Sequence, residues 1–511
     1  MNISATLGNQ KSRYAIAAGL FFLAAFSIRI FSLDETSLNS DELFSASLAL
    51  DARDPLAFWD FRWVQLLPQA DDSWMTRKSS DLTPVLFDLI LLPWAHIFGP
   101  SEFTLRLLSV IFGSAAIAAF YLYASKISSQ LSAVIYSLVF TVFPAAIATS
   151  QNLRAYSLTL LLATIAIGQF SSELTMRSKS RWRPRANHIV ILCLLATSHY
   201  TGLFLAVLIA GLSIYFKAGT ADFWGSLRKY IPIVFSVTPW IILSAPTLLF
   251  VASGKFAWTN YSLRDTWETL LPNLVSSVMP GGVATLLLLL SAQFFSSYQS
   301  PRELRKLQPP RPESHLASPT NVKFALACII FTMTTYAVYS AYKSGIWAER
   351  YATALIPAVL FFLVVLSEGQ RAKIKMAFSG LAVFLFALNG SVTYFSTKIA
   401  QSEDYRGAAT YISENFTDGD IVALGWYVNE PYYDFYLSRL YNGDVLGTHT
   451  VTISSQQDAN ELCFGNASRV IVFEHMSHNF DAGLESCPYF VSQNSPSFNG
   501  VKVKIFKRAV N

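Results

Sequence analysis

This 511-residue chain is short of charge. Asp, Glu, Lys and Arg together make up 14% of it, against about a quarter in an ordinary globular domain. Hydrophobic residues make up 52%, and the mean hydropathy is +0.38. This balance excludes an ordinary soluble protein, because most of the length requires apolar surroundings. The composition therefore predicts a polytopic membrane protein.

Several chemical motifs are also missing. The sequence has no Walker A motif, no GxGxxG, no HExxH and no CxxC, so an ATP-driven motor and the common dinucleotide and zinc sites are not indicated. No basic run with interleaved aromatics suggests nucleic acid. His475 and His478 form an HxxH, a spacing more typical of a surface helix turn than of a metal site. We therefore expect no required cofactor; a divalent metal is possible but not indicated.

Cysteine is scarce, with four in the whole chain. Cys193 and Cys328 lie in hydrophobic runs and are interpreted as packing residues. Cys463 and Cys487 lie in the C-terminal tail. An oxidising compartment would allow them to form a disulfide, and two free buried thiols are the alternative.

Long hydrophobic runs, in contrast, are abundant. A spanning helix needs about 20 apolar residues, and the first run ends without a small-residue cleavage site, which favours a retained helix over a signal peptide. The candidate spans are residues 14–32, 104–125, 128–148, 155–170, 188–216, 231–252, 271–295, 323–342, 351–366 and 376–395.

Clusters of Lys and Arg fix the predicted topology, because short cytoplasmic connections are rich in them. All the clusters lie on the cytoplasmic side only if the run 188–216 crosses twice, with its polar centre SHYTG (198–202) as the outer turn. The alternative is one long tilted helix there. The double crossing gives about eleven spans, with a cytoplasmic N terminus and an external C terminus.

This topology predicts two domains in a multi-pass protein of the cell inner (plasma) membrane. Residues 1–396 form the transmembrane domain, with a first extracytoplasmic loop over 32–103. Residues 397–511 form a small extracytoplasmic, periplasmic α/β domain. Its predicted elements are a helix over 403–416, a strand over 420–424, a helix over 430–440 and strands over 469–474 and 501–506.

Two acidic pairs follow the first span, and only the second predicts chemistry. Asp34 and Glu35 lie in a Ser/Thr-rich stretch that reads as a linker. Asp41 and Glu42 open an apolar-periodic segment, where a carboxylate can serve as a general base towards an attacking hydroxyl. The alternative is a helix N-terminal charge favoured by the macrodipole.

Arginines at the outer ends of three helices form the second part of the predicted site. A single rim arginine is usually an anchor at the lipid headgroups, but Arg106, Arg154 and Arg350 all fall on the side of Asp41, and convergent cations suit an anionic leaving group. Tyr351 follows the third arginine. The candidate residues that line the site around these groups are Asp81, Asp88, Tyr156, His199, Tyr200 and Glu349.

The order of these motifs resembles a known family. NSDELFS is followed by TPVLF, IFGPSEFTLRLLSVIFG, SQNLRAYSL, SHYTGLF and AERYATALIP, over about two-thirds of the chain. This order is similar to that of bacterial membrane glycosyltransferases of the GT-C fold, related to protein O-mannosyltransferases and the lipid A aminoarabinose transferase. Two motifs depart from the family pattern. Asn152 and Leu153 precede Arg154 where a Glu is usual, and Thr83–Phe87 replaces a His-Pro-Pro-Leu-Tyr.

The resemblance implies transfer of a sugar from a polyprenyl-phosphate donor to a hydroxyl on the extracytoplasmic face, with inversion. The acceptor would be an envelope glycolipid, a polysaccharide or a protein. By position, Asp41 matches the family's essential acidic residue and Glu42 its neighbour, while Arg106 and Arg154 match its arginines. The competing interpretations are a multi-pass lipid or solute transporter or flippase, with charges at mid-membrane depth and broken helices, and a non-catalytic scaffold.

Overall fold

The computed structural model describes residues 3–50, 74, 78–79, 83–175, 186–217, 223–252, 353–368, 373–417, 419–425, 433–437, 450–453, 456–475, 482–493 and 496–509. The chain divides into two compact units. The helical unit is Met1–Phe31, Arg53–Ile90 and Arg106–Tyr394, and the tail unit is Ser32–Ala52, Leu91–Leu105 and Phe395–Asn511. The tail unit therefore includes the segment that carries Asp41 and Glu42.

Helices account for nearly all described residues before position 402. In chain order they are α1 (Ile3–Ile30), α2 (Ser40–Leu50), α3 (Leu86–Phe98), α4 (Glu102–Ile127), α5 (Gln130–Thr141), α6 (Pro144–Ser150), α7 (Tyr156–Thr175), α8 (Ala186–Ser198), α9 (Tyr200–Lys217), α10 (Phe223–Arg228), α11 (Ile231–Ala252), α12 (Ile356–Glu368) and α13 (Lys373–Gln401).

Membrane crossing follows from helix length and hydropathy. Within the described part of the chain, three helices are long and apolar enough to cross a membrane: Ser12–Ile30, Glu102–Ile127 and Tyr156–Leu174. The bent pair α5 and α6 would make a fourth, and several shorter apolar helices accompany them. The prediction of a polytopic helical membrane protein is confirmed. The count of about eleven spans stays a prediction, and the candidate spans 271–295 and 323–342 lie outside the described residues.

The predicted span 128–148 is not one straight helix. Its two halves, α5 and α6, meet at a bend of 56°. Pro144 opens α6, and Phe143 before it is extended, with φ −74° and ψ 117°. Proline has no N–H to donate, and its ring pushes the preceding residue out of the helical region. The helix therefore breaks at Pro144, although the hydrophobic run 128–148 is continuous in the sequence.

The run 188–216 divides as its polar centre predicted. Helices α8 and α9 meet at His199 and pack against each other. A side chain at Gly202 would place its Cβ 2.3 Å from the Leu195 carbonyl oxygen, so glycine permits the close approach of the two helices. The interruption within 198–202 is confirmed, and the double crossing stays a prediction.

The tail folds as a mixed sheet flanked by short helices. Strands β1 (Asp420–Gly425), β2 (Thr450–Ile453), β3 (Arg469–His475), β4 (Phe490–Gln493) and β5 (Val501–Arg508) lie in the order β2-β1-β3-β5-β4. Strand β1 is parallel to β2 and β3, and β5 is antiparallel to β3 and β4. Helices α14 (Tyr405–Asn415), α15 (Gln456–Phe464) and α16 (Ala482–Glu485) accompany the sheet.

The predicted strands at 420–424, 469–474 and 501–506 and the helix at 403–416 are confirmed within two residues at each end. Over 430–440 the described residues form a π-helical turn, Tyr433–Leu437. His475 closes strand β3 rather than lying in a helix turn, so that interpretation was wrong. The extracytoplasmic location of the tail stays a prediction.

A disulfide joins Cys463 at the end of α15 to Cys487 after α16, with a Cα–Cα distance of 5.9 Å. We call it the tail bridge. Both cysteines are buried in the hydrophobic cluster that also contains Val470, Val472 and Phe506. The bridge therefore joins the end of α15 to the segment that follows α16, inside the cluster that packs against the sheet.

Candidate active site

The second acidic pair lies in the first turn of α2, and its two members have different environments. The Asn39 side chain accepts a hydrogen bond from the Glu42 N–H (3.0 Å), and a Glu42 carboxylate oxygen accepts one from the Asn39 N–H (3.0 Å). This reciprocal capping box satisfies two of the amides that a helix start leaves unpaired. Glu42 is 1% exposed, whereas Asp41 is only half-buried. The geometry assigns Glu42 to holding the helix start and leaves Asp41 at its margin.

The first acidic pair is exposed, as a linker predicts. Asp34 and Glu35 both carry solvent-exposed side chains, and Glu35 accepts a hydrogen bond from the Ser32 hydroxyl. Their backbone carbonyl oxygens, in contrast, are bound by Arg406. The structure therefore uses the main chain of this stretch rather than its carboxylates.

Two of the three predicted arginines are described, and both are buried in the helical unit. Arg106 is 3% exposed in the second turn of α4, and Arg154 is 6% exposed in the connection that precedes α7. A guanidinium that anchors a helix at lipid headgroups extends away from the protein. Enclosure by protein is instead the environment in which a charge needs a partner or a ligand.

Predicted site residues of the helical unit meet around His199. The His199 ring lies 5.2 Å from the Tyr156 ring and 6.5 Å from the Tyr200 ring, between centroids. Its Nδ1 accepts the Thr201 N–H at 3.2 Å, which leaves Nε2 as the nitrogen that carries the proton in the neutral ring. His199 and Tyr156 are both buried.

The Tyr200 hydroxyl extends this group towards α11. It accepts a hydrogen bond from the Trp240 indole N–H at 3.2 Å, and the Trp240 ring lies 5.8 Å from the Lys78 ammonium. Lys78 in turn forms an ion pair with Asp88 at 2.6 Å and donates to the Thr83 hydroxyl at 2.8 Å. A buried polar row therefore runs from Asp88 to Tyr200.

Lys78 and Trp240 were missed by sequence reasoning. Lys78 is fully buried, but in the sequence it is one of several charges in a long polar loop, with no periodicity that predicts burial. The only available signal was its position a few residues before the TPVLF element. A buried Lys–Asp pair costs several kcal/mol in desolvation unless its partners are well placed, and here Thr83 and the Trp240 ring supply two of them.

Arg29, in the last turn of α1, was also missed. It is completely buried, and the groups to which its guanidinium donates among the described residues are all uncharged. Nη1 donates to the Thr141 carbonyl at 2.9 Å, and Nε donates to the Ser150 hydroxyl at 3.1 Å. Thr141 ends α5, so the cation satisfies carbonyls that the helix terminus leaves unpaired and complements its negative dipole end.

The connection that carries Arg154 begins at Gln151, which is held from two sides. The Gln151 amide donates to the carbonyls of Arg29 (2.9 Å) and Phe31 (2.8 Å), and its oxygen accepts the Tyr394 hydroxyl at 2.9 Å. Helices α1 and α13 therefore fix the start of this connection.

Four predicted site residues, Asp81, Glu349, Arg350 and Tyr351, lie outside the described residues. Among the residues that the structure does describe, no group of three or more His, Cys, Asp or Glu side chains could hold a metal ion. The expectation that no cofactor is required stays a prediction.

Comparison with known proteins identifies the fold. No protein-family profile and no curated protein sequence matches the chain. The structure is similar to that of ArnT from Cupriavidus metallidurans in the apo state, with a TM-score of 0.55 at 11% identity, over 95% of this chain and 97% of that chain. ArnT from the same organism bound to undecaprenyl phosphate matches with a TM-score of 0.53 at 12% identity over the same shares. The predicted GT-C fold is confirmed.

Proposed function

We propose that this chain, which has the fold of ArnT, is a membrane glycosyltransferase of the cell inner membrane. It transfers a sugar from a polyprenyl-phosphate-linked donor to a hydroxyl of an envelope glycolipid, a polysaccharide or a protein on the extracytoplasmic face. Asp41 is the general base, and the reaction proceeds with inversion.

The observation that carries the proposal is the likeness to ArnT bound to undecaprenyl phosphate, which extends over 95% of this chain. A polyprenyl phosphate is the leaving group of the proposed reaction. A donor attached to a lipid also explains an enzyme built on membrane-spanning helices, because such a donor never leaves the bilayer.

The environment of Asp41 supports its role. The capping box of Asn39 and Glu42 fixes the helix start, so Asp41 is held by rigid backbone while its side chain stays half-buried. In the proposed step the acceptor oxygen bonds to the anomeric carbon, the carbon–phosphate oxygen bond breaks, and the hydroxyl proton passes to the Asp41 carboxylate. The phosphate departs with the bonding electrons, from the face opposite the attack.

Arg106, Arg154, Arg350 and Tyr351 are proposed to hold the departing phosphate. The burial of Arg106 and Arg154 supports this role over headgroup anchoring. Guanidinium forks bind phosphate oxygens in pairs, so arginines can stabilise a monophosphate without a metal ion. Asp88, Tyr156, His199 and Tyr200 lie in the helical unit with these two arginines and are candidates for lining the site.

The test is transfer by the purified protein. Undecaprenyl-phosphate-linked mannose, glucose and aminoarabinose are offered separately with an envelope extract, and products are read by mass spectrometry. We expect transfer of at least one sugar and none with Asp41→Asn, while Asp34→Asn stays active as the matched control. Failure of the wild type with every donor, in a membrane preparation that retains its native acceptors, would contradict the proposal.

One observation favours the transporter alternative. The bend of 56° between α5 and α6, with the buried cation Arg29 at its apex, is the kind of broken helix that transporters use. Here Arg29 already donates to the carbonyls at the end of α5, and a transported cation would need those carbonyls. The protein can be reconstituted in vesicles with a labelled polyprenyl phosphate. Movement of the label across the bilayer without formation of a glycosylated product would favour the transporter.

A further inference from the structure

The loop that leads to Asp41 is held by side chains from the C-terminal tail. Lys398 donates to the Ser32 carbonyl at 2.6 Å, and the two terminal nitrogens of Arg406 donate to the carbonyls of Asp34 (3.1 Å) and Glu35 (3.0 Å). These bonds go to backbone oxygens, so they fix the path of the loop whatever its side chains are.

The second half of the loop is held in the same way. The Ser37 hydroxyl donates to the Glu403 carbonyl and accepts the Tyr405 N–H at 3.1 Å. The Leu38 N–H donates to the Tyr436 hydroxyl at 2.8 Å. Ser37 and Leu38 are both buried, so this half of the loop is fastened within the tail unit.

The last of these contacts reaches the residue before Asp41. The Ser40 N–H, the first amide of α2, donates to a Glu403 carboxylate oxygen at 2.8 Å. The capping box satisfies the Glu42 amide but leaves that of Ser40 unpaired within the helix. A carboxylate at this point gives a charge-assisted hydrogen bond and also complements the positive end of the helix dipole.

Tyr405 packs beside Glu403 in this group of contacts. It is completely buried, and burial raises its pKa above the usual 10.0, with the charges of Glu403 and then Asp41 adding to the rise. The phenol therefore keeps its proton at working pH. A neutral, buried ring therefore lies beside the Glu403 carboxylate, in the same group as Ser40.

The tail's own fold determines where Glu403 stands. The Asn499 side chain donates to the carbonyls of Ala400 (2.9 Å) and Ser402 (2.7 Å), and the Asp404 N–H donates to the Asn499 carbonyl at 2.9 Å. Gly500 has φ +70°, and a Cβ there would lie 2.7 Å from Glu403 Cγ. Glycine is therefore required at position 500 for two reasons: its backbone is left-handed, and Glu403 occupies the space where a Cβ would lie.

We propose that Glu403 is a positioning residue for Asp41: its carboxylate binds the first amide of α2 and so fixes the general base from the tail. The proposal rests on the proposed function for the role of Asp41. It makes the tail part of the reaction's machinery, because Glu403 acts through the position of Asp41. None of the sequence motifs predicted this role.

The test compares Glu403→Ala with Asp404→Ala. Asp404 is the adjacent carboxylate and caps α14 by accepting the Gly407 N–H at 2.9 Å, so its loss perturbs the same segment without touching α2. For Glu403→Ala we expect kcat to fall about ten- to a hundred-fold, the effect of losing one hydrogen bond to a charged group. The KM for the donor and the melting temperature should stay near wild type. Glu403→Asp should recover part of kcat.

Amide hydrogen exchange gives a readout that needs no activity. Glu403→Ala should speed exchange over residues 37–44 by about ten-fold or more, and Asp404→Ala should not. Wild-type kcat in Glu403→Ala, or equal losses of kcat and of melting temperature in both variants, would overturn the proposal. If the wild type transfers no sugar while exchange still responds to Glu403→Ala alone, the proposed function fails and the positioning contact stands.

Discussion

Substitution of the two carboxylates at the start of α2 should have different effects: that of Asp41 on sugar transfer, and that of Glu42 on the stability of the helix. Asp41→Asn removes the base but keeps the size of the side chain, so transfer should fall by about 10²- to 10⁴-fold, the usual contribution of general base catalysis. The helix should remain intact, because Asp41 takes no part in the capping box of Asn39 and Glu42.

Glu42 should instead affect the fold. A Glu42→Ala change frees the Asn39 amide, which loses a partner worth about 0.5–2 kcal/mol as a helix cap. On that scale, amide exchange across α2 should accelerate by about two- to thirty-fold. Glu42→Gln should behave almost as wild type, since glutamine serves equally well in a capping box.

The assay pairs initial rates of sugar transfer with amide exchange over Ser40–Leu50 for the three variants. An Asp41→Asn protein with near wild-type turnover would refute the assignment of the base. A Glu42→Gln protein that has lost transfer while α2 exchanges normally would show instead that the Glu42 charge takes part in the chemistry, and the division of roles argued from burial would be wrong.

Further outcomes follow for other residues. Arg106→Lys or Arg154→Lys should weaken donor use by about ten- to a hundred-fold, measured as the donor KM, whereas silent Lys variants would indicate headgroup anchors. Thiol labelling of the denatured, unreduced protein should reach only Cys193 and Cys328, since the sulfurs of Cys463 and Cys487 are joined in the tail bridge; four labelled thiols would refute the bridge. Above pH 10 the wild type should lose thermal stability more steeply than Tyr405→Phe, because the folded protein keeps a phenolic proton that the unfolded chain releases; equal slopes would contradict this.

Breaks in the helices could be predicted only where polarity marked them. The interruption at His199 was predictable, because five polar or small residues, SHYTG, divide an otherwise apolar run. The bend before Pro144 was not, since a lone proline in an apolar run is also tolerated inside membrane helices, as Pro239 and Pro246 are in α11. Which of the three prolines breaks the helix depends on packing that sequence patterns do not encode.

The tail shows a similar limit. Strands β1, β3 and β5 were predictable from their apolar residues, which are buried in the sheet. Strands β2 and β4 lie at the two edges of the sheet and have only four residues each, and β4 is mostly exposed. Short edge strands carry little apolar patterning, so nothing in their sequences separates them from loops.

In the candidate site, the sequence predicted which residues are candidates but not which residues they contact. Asp41 was identified by its place after the first span. That Glu42 has a different role from Asp41 follows from the capping box with Asn39, which the sequence alone does not establish. Glu403 looked like an ordinary charge at a helix start. Its contact with Ser40 joins residues 363 positions apart, and such a pairing exists only once the tail has folded against the loop.

The partners of Arg29 have a consequence for how the protein is made. Thr141 and Ser150 lie 112 and 121 residues further along the chain. At a synthesis rate of about 5–20 residues per second, they emerge roughly 6 to 24 seconds after the arginine. Until then α1 must sit in the bilayer with its guanidinium solvated by headgroups or water, at an insertion cost of about 2.5–3.5 kcal/mol for a central position and less near the rim. Helix α1 is therefore inserted before its arginine has its final partners. It reaches its final position only after α5 and α6 have been made and can bind the Arg29 guanidinium.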